Sequence, residues 1–234
     1  MKRTVKFWTF LLAVFAVTAA PVCADNLTQG DLLFELDLVY TGIATPQGTP
    51  PWLTATFQNL GSNSVQLTMD YSGSTPGGTE YVSSWFFNFN PSFEVLGLDI
   101  KPLSGISANP IIKAADGVKA GGDLFFDLQF SFSANSFIAG NSSAYLISST
   151  VANEPIDALS FDFLSTNSFG LTNYYSAANI QGITGGLNSW ISAATAQTPG
   201  PGPGPTPIPE PATMILLSFG LAGLTIFGRN KFFV

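Results

Sequence analysis

The sequence has no histidine, a single cysteine and few basic residues. Because the one cysteine, Cys23, has no second cysteine to pair with, an intramolecular disulfide is excluded. The absence of histidine excludes Ser-His-Asp triads and histidine-based zinc sites. The chemistry that remains is that of carboxylates and of oxygen-coordinated cations such as calcium. No cofactor is predicted.

Charge is strongly one-sided in the body of the chain. Residues 25–198 contain fourteen acidic residues and only three basic ones, Lys101, Lys113 and Lys119. Phosphate binding needs lysine and arginine, so we expect no nucleic-acid partner. An acidic, mutually repelling and soluble surface is the simplest interpretation.

The N-terminus has the pattern of a signal peptide. Lys2, Arg3 and Lys6 precede an apolar stretch, residues 7–20, and Val22-Cys23-Ala24 offers the small residues that signal peptidase accepts. Cleavage is predicted between Ala24 and Asp25. The alternative, a lipoprotein anchored at Cys23, needs a small residue before the cysteine, where this chain has Val22.

The C-terminus combines a short motif, an apolar run and basic residues. Pro209-Glu210-Pro211 is followed by an uncharged run, residues 212–227, and then by Arg229 and Lys231. As a helix the run spans roughly 24 Å, less than the ~30 Å hydrocarbon core of a bilayer. The pattern predicts a short transmembrane helix with a basic stop on the cytoplasmic side, and the alternative is a buried core helix.

These residues, with Ala212-Thr213-Met214 after the motif, closely resemble the PEP-CTERM sorting signal of Gram-negative bacteria. The resemblance implies recognition by an exosortase, a membrane cysteine protease, and cleavage near the motif. The family is associated with exopolysaccharide production and biofilms. Two positions depart from the family pattern: Ile208 stands where Val is commoner, and the basic end is looser than an arginine cluster. The segments 53–57, 65–69, 85–91 and 175–183 also look like a recurrent, uncharacterised ectodomain of such proteins.

The body predicts a mainly β fold. Apolar residues alternate with polar ones along 31–40, 53–57, 65–70 and 124–132, which is typical of half-buried strands. Further strands are predicted at 81–89, 93–100, 144–150, 159–164 and 174–180, with 102–122 mostly loop. About nine short strands separated by Gly, Pro and Asn clusters indicate one antiparallel β-sandwich or jelly-roll-like domain.

Four regions are therefore predicted. Residues 1–24 form the signal peptide, 25–198 the β-sandwich, 199–208 a Pro/Gly-rich spacer and 209–234 the sorting signal. Alternating proline and glycine in the spacer exclude helix and sheet, so it would stand as an extended stalk of roughly 30 Å.

Three groups of residues are candidates for a site. Glu35 and Asp37 would lie on one strand face, about 7 Å apart, but the second glutamate of jelly-roll glycosidases is missing. Asp116, Asp123 and Asp127 surround a Gly-rich loop and could bind calcium, although no EF-hand spacing is present. Tyr174 and Tyr175 would place one ring on each strand face, so we expect one to be exposed for stacking on a sugar. The other aromatic candidates are Trp52, Trp85, Trp190, Tyr71 and Tyr81, with Trp85 expected in the core.

The leading functional hypothesis is an exported, non-enzymatic protein of the envelope or extracellular matrix. It would be tethered to the inner membrane during sorting and then reach the cell surface, with a structural, adhesive or carbohydrate-contacting role. Its expected partners are exosortase, signal peptidase and exopolysaccharide. The alternatives are a glycan-active enzyme using Glu35 or another carboxylate and, third, an ice-binding protein, for which Thr54 and Thr56 alone make too small a threonine array.

Overall fold

The computed structural model describes residues 30–198, except residues 62, 73–77 and 169. These residues form two antiparallel sheets packed as a sandwich, which confirms the predicted fold class. Within them, no helix is long and apolar enough to span a bilayer. The predicted signal peptide with its cleavage site, the whole of the spacer and the 212–227 span lie outside the described residues and stay predictions.

The first sheet has six strands in the order β13-β1-β3-β4-β9-β6. Buried and partly exposed side chains alternate along β1, β4 and the first part of β3, because every second side chain points toward the other sheet. Its strands are β1 (Leu32–Leu36), β3 (Leu53–Gly61), β4 (Ser64–Asp70), β6 (Leu98–Gly105), β9 (Ser142–Ser149) and β13 (Ala196–Gln197).

The second sheet has the order β10-β8-β5-β11-β12-β2, and β7 also pairs with β8. The chain passes from the first sheet to the second at Asp37, between β1 and β2. Two 3₁₀ helices, Val95–Gly97 and Ala158–Phe161, complete the described elements. The strands are β2 (Leu38–Gly42), β5 (Tyr81–Phe87), β7 (Ile111–Ala120), β8 (Leu124–Ser131), β10 (Thr166–Asn167), β11 (Ser176–Ile183) and β12 (Leu187–Ala193).

Aromatic side chains fill the space between the sheets. Phe34, Phe57, Trp85, Phe87 and Phe130 are fully buried there. The ring of Phe57 meets the ring of Phe87 edge-on at 5.2 Å. Trp85 belongs to this core, as the sequence predicts, so the indole is unavailable for a ligand.

A second apolar cluster covers part of the outer face of the second sheet. Phe86 contacts Phe126 and Trp190, with ring centroids 5.8 and 5.6 Å apart. The turn between β7 and β8 closes over this cluster: a Cβ built at Gly121 would lie 2.5 Å from the Trp190 ring. Only glycine therefore lets the hairpin lie flat on the indole.

Several predicted elements differ from the structure. The 31–40 segment is two strands, β1 and β2, in different sheets. The prediction of a strand at 159–164 is wrong, because the chain there forms a 3₁₀ turn followed by irregular backbone. The 102–122 region contains half of β6 and all of β7, and the sequence pattern does not predict β12. The alternation in β8 marked the buried residues correctly, yet Leu124 and Phe126 belong to the second cluster and not to the main core.

Candidate functional site

Two of the three predicted calcium ligands meet at an irregularity in the β7–β8 pairing. The register shifts between Lys113 and Val118, so the intervening residues bulge out of the ladder. Asp116 lies in this bulge with a left-handed φ of 47°. Asp and Asn tolerate that conformation better than most other residues. The bulge brings Asp116 against Asp127 of β8.

The Asp127 carboxylate is held by two backbone amides. The Asp116 N–H donates to Asp127 Oδ1 at 2.6 Å, and the Phe89 N–H donates to Asp127 Oδ2 at 2.8 Å. The Thr166 hydroxyl donates in turn to Asp116 Oδ1 at 2.7 Å. Asp127 thus ties together β8, the β7 bulge and the segment after β5.

Burial raises the pKa of Asp127 above its ordinary value of 3.8. The two backbone hydrogen bonds oppose this shift, and the neighbouring negative charge of Asp116 adds to it. Desolvation disfavours the charged form of a carboxyl, and a second carboxylate nearby has the same effect. Two carboxyls with different environments therefore lie side by side.

An open cleft of about 270 Å³ runs beside this pair. Carboxylates, side-chain amides and phenylalanine rings share its wall, a combination of polar groups and apolar faces typical of small-ligand sites. A second hollow continues from it along Asn90, Phe93 and Phe163 toward Asp157 and Ser160. The cleft is lined by Asn88, Phe89, Asn90, Pro91, Phe93, Val95, Ala115, Asp116, Asp127, Phe163, Leu164 and Thr166.

Asp123 is separated from the other two aspartates. It forms a salt bridge with Lys119 in the β7–β8 turn and does not line the cleft. In the described part of the chain no three acidic side chains come together in a way that could hold a metal ion. The three-aspartate calcium site is therefore not assembled in this structure.

Glu35 and Asp37 do not share a strand. Glu35 lies on β1, where its Oε2 accepts a hydrogen bond of 2.6 Å from the Gln197 side chain. Asp37 is exposed at the crossing between the two sheets. The prediction that these two carboxylates share one strand face is therefore wrong.

The threonines considered for ice binding lie on β3. One of them, Thr56, pairs directly with Thr68 of β4.

Neither tyrosine of the 174–175 pair is exposed, contrary to expectation. Tyr174 is 8% exposed and lies 5.0 Å from the ring of Tyr40. Tyr175 is half-buried, with its ring stacked 6.0 Å from that of Phe34. Of the other aromatic candidates, Trp52 and Tyr71 are buried, whereas Trp190 and Tyr81 are half-buried.

Comparison with known proteins bears on the C-terminus. Residues 207–231 match the family model of the PEP-CTERM protein-sorting motif. The chain carries a PEP-CTERM sorting motif. No curated protein and no solved structure matches the chain at a significant level.

The PEP-CTERM motif marks the chain as an exported protein that an exosortase sorts, through a membrane-anchored intermediate, to the surface. The predicted Pro209-Glu210-Pro211 and the Arg229 and Lys231 end fall inside the matched segment.

Most of the cleft could not be predicted from the sequence. The sequence pattern places Asn88 in a predicted strand, Asn90 at the stop after it and Phe93 in the next predicted strand. The alternation of amide and phenylalanine in Asn88-Phe89-Asn90-Pro91 was the available signal. Thr166 gave no signal, because only the fold brings it to Asp116.

Proposed function

We propose that the sandwich is a non-enzymatic, carbohydrate-contacting ectodomain that works at the cell surface or in the extracellular polysaccharide matrix. One observation carries the proposal: the cleft beside Asp116 and Asp127 presents carboxylate and amide groups next to phenylalanine rings. Sugar hydroxyls bind such polar groups, and the apolar faces of sugar rings pack on aromatic side chains.

The charge of the body favours a neutral glycan over an anionic one. Fourteen acidic residues against three basic ones between 25 and 198 would repel a uronate- or sulfate-rich polymer. The cleft shares Asn90, Phe93 and Phe163 with the second hollow, and this extended surface suits a stretch within a glycan chain.

The test is binding of the full chain to neutral exopolysaccharide and to a glycan array. Asp116→Asn removes a charge while keeping the shape, and asparagine tolerates the left-handed backbone at this position. We expect at least a threefold weaker binding for Asp116→Asn, since a hydrogen bond to a charged group is roughly twice as strong as a neutral one.

Asp123→Asn is the matched control. Asp123 lies on the same hairpin, also has a left-handed φ, of 65°, and is outside the cleft. Its binding should equal that of the unaltered chain. If both variants bind as the unaltered chain does, or if no glycan binds, the cleft does not contact carbohydrate.

A glycan hydrolase is the second candidate, favoured by the two adjacent carboxyls. The raised pKa of Asp127 beside Asp116 is the kind of difference that separates an acid from a base in glycosidases. Under our proposal, β-glucans incubated with the chain release no reducing sugar. Release that is lost in Asp116→Asn would support an enzyme that uses the cleft, and release lost in Glu35→Gln would support a glycan-active enzyme that uses Glu35.

A further inference from the structure

The cleft of about 270 Å³ has no positively charged side chain in its wall. Residues 25–198 contain three lysines and no arginine. Two of these lysines are paired with carboxylates elsewhere: Lys101 with Asp99, at 2.6 Å, and Lys119 with Asp123. Neither salt bridge involves a residue of the cleft wall, so neither lysine neutralises the cleft.

The third lysine, Lys113, is also engaged. Its ammonium group donates to the Leu96 carbonyl at 3.1 Å and to the Leu98 carbonyl at 2.5 Å. Lys113 belongs to β7 of the second sheet and Leu98 begins β6 of the first, so this side chain ties the two sheets together. Its charge lies against backbone oxygens outside the cleft wall. The negative charge of the cleft is therefore left without a lysine from residues 25–198.

Carboxylates recur along the cleft and the hollow that continues from it. Asp116 and Asp127 line the cleft, and Asp157 lines the second hollow. Asp116 and Asp157 are exposed. In the described part of the chain Asp116 accepts a side-chain hydrogen bond at Oδ1, from Thr166, and none at Oδ2. The Oδ2 atom can therefore accept a hydrogen bond from a ligand.

Carboxylates without a cation favour a positively charged ligand group over a neutral one. A hydrogen bond between an ammonium group and a carboxylate is roughly twice as strong as a neutral one. The half-buried rings of Phe93 and Phe163 line both hollows. They offer apolar faces to a sugar ring, and the same faces attract a nearby cation. The surface thus suits a sugar that carries a positive substituent.

We propose that the glycan bound at this surface carries free amino groups, as a polymer of 2-amino-2-deoxy sugars does, and that Asp116 binds one of its ammonium groups. The proposal rests on the proposed carbohydrate contact and specifies its substrate class. Sugar rings pack on Phe93 and Phe163, and a second ammonium group meets Asp157. A neutral glycan fits the same surface but leaves the charge of both aspartates unpaired.

Three β-1,4-linked hexamers test the proposal, because they differ at a single ring carbon. The hexamers of glucosamine, N-acetylglucosamine and glucose carry there an amine, an acetamide and a hydroxyl group. The full chain, in one nonionic detergent throughout, is titrated calorimetrically with each hexamer at a pH at which the amines are protonated. We expect the glucosamine hexamer to bind about tenfold more tightly than the other two, because hydrogen bonds to charged groups are the stronger ones.

Two variants each remove one charge from the surface. Asp116→Asn keeps the shape of the side chain, and its preference for the glucosamine hexamer over the N-acetylglucosamine hexamer should fall to about threefold or less. Asp157→Asn keeps an acceptor oxygen for its turn and should also lower the preference. Asp123→Asn is the matched control, since Asp123 is paired with Lys119 outside the cleft. Its preference should equal that of the unaltered chain.

The outcomes separate this proposal from the carbohydrate contact on which it rests. Equal affinities for the three hexamers would overturn the amino-sugar proposal and leave the carbohydrate contact in place. Binding of none of them would overturn it as well, and the glycan array then decides the carbohydrate contact by itself. Hexalysine that binds as tightly as the glucosamine hexamer would show a general attraction of cations and overturn the assignment to a glycan. A full preference retained in both Asp116→Asn and Asp157→Asn would also overturn it.

Discussion

Glu80 shows how a single buried carboxylate organises a long loop. Only 3% of its surface is exposed, and both its carboxylate oxygens accept from the Gln47 N–H, at 3.0 and 3.2 Å. One of them also accepts from the Tyr71 hydroxyl at 3.1 Å. The loop between β2 and β3 is therefore fastened to the residue just before β5.

We expect Glu80→Gln to lower the free energy of unfolding by about 1–3 kcal/mol. The amide keeps one acceptor oxygen and turns an N–H group toward donors that need an acceptor, which leaves buried groups unpaired. Urea denaturation of the two chains measures the difference.

Glu35→Gln provides the comparison for this variant. In the described part of the chain, the Glu35 carboxylate accepts a side-chain hydrogen bond from Gln197 and is partly exposed. Its replacement should change the free energy of unfolding by less than about 0.5 kcal/mol. Equal losses for the two variants would contradict a structural role for Glu80.

At the scale of elements, the alternation of apolar and polar residues predicted the strands that have one buried face and one half-exposed face. β4 and β8 follow that rule along their whole length, and β3 follows it from Leu53 to Gln58. The alternation does not run through β7, because a bulge interrupts the register of this strand between Lys113 and Val118. The same bulge brings Asp116 to Asp127. Neither β7 nor this pair of carboxyls could therefore be predicted from the periodicity of apolar and polar residues.

The 158–161 turn shows how a local cap can outweigh an apolar pattern. The Asp157 Oδ1 accepts from the Ser160 N–H at 2.9 Å and from its hydroxyl at 2.8 Å. The Ser160 hydroxyl oxygen accepts from the Asp157 N–H at 3.1 Å, which completes a capping box. This reciprocal pair favours a turn over an extended chain. The turn then delivers Phe161 into the core, 4.3 Å from the ring of Phe57.

Asp157→Ala should therefore cost about 1 kcal/mol of unfolding free energy, the usual loss for a removed cap. Asp157→Asn keeps an acceptor oxygen and should recover most of that loss. Thermal unfolding of both variants measures it. An alanine variant as stable as the original chain would show that the turn is held by Phe161 packing alone.

For the molecule as a whole, the excess of acidic residues predicts an unusual response to mild acid. Burial raises the pKa of Asp127, and it does the same for Asp162. The folded state therefore takes up protons at a higher pH than the unfolded state. The stabilising effect of these two groups grows as the pH falls from above the raised pKa toward the ordinary value of 3.8. Protonation also lessens the repulsion among fourteen acidic groups in residues 25–198.

We expect the free energy of unfolding to be higher at pH 5 than at pH 7, because protons bind these two carboxyls more tightly in the folded state. Urea denaturation at the two pH values measures this difference.

Salt separates the two causes of the rise in stability. Adding 0.5 M NaCl screens the repulsion between surface charges but acts much less on buried carboxyls. Asp162→Asn should show a smaller rise than the unaltered chain, because the Asp162 Oδ1 is buried without a partner in the described region. A fall in stability between pH 7 and pH 5, or an undiminished rise in Asp162→Asn, would contradict this account.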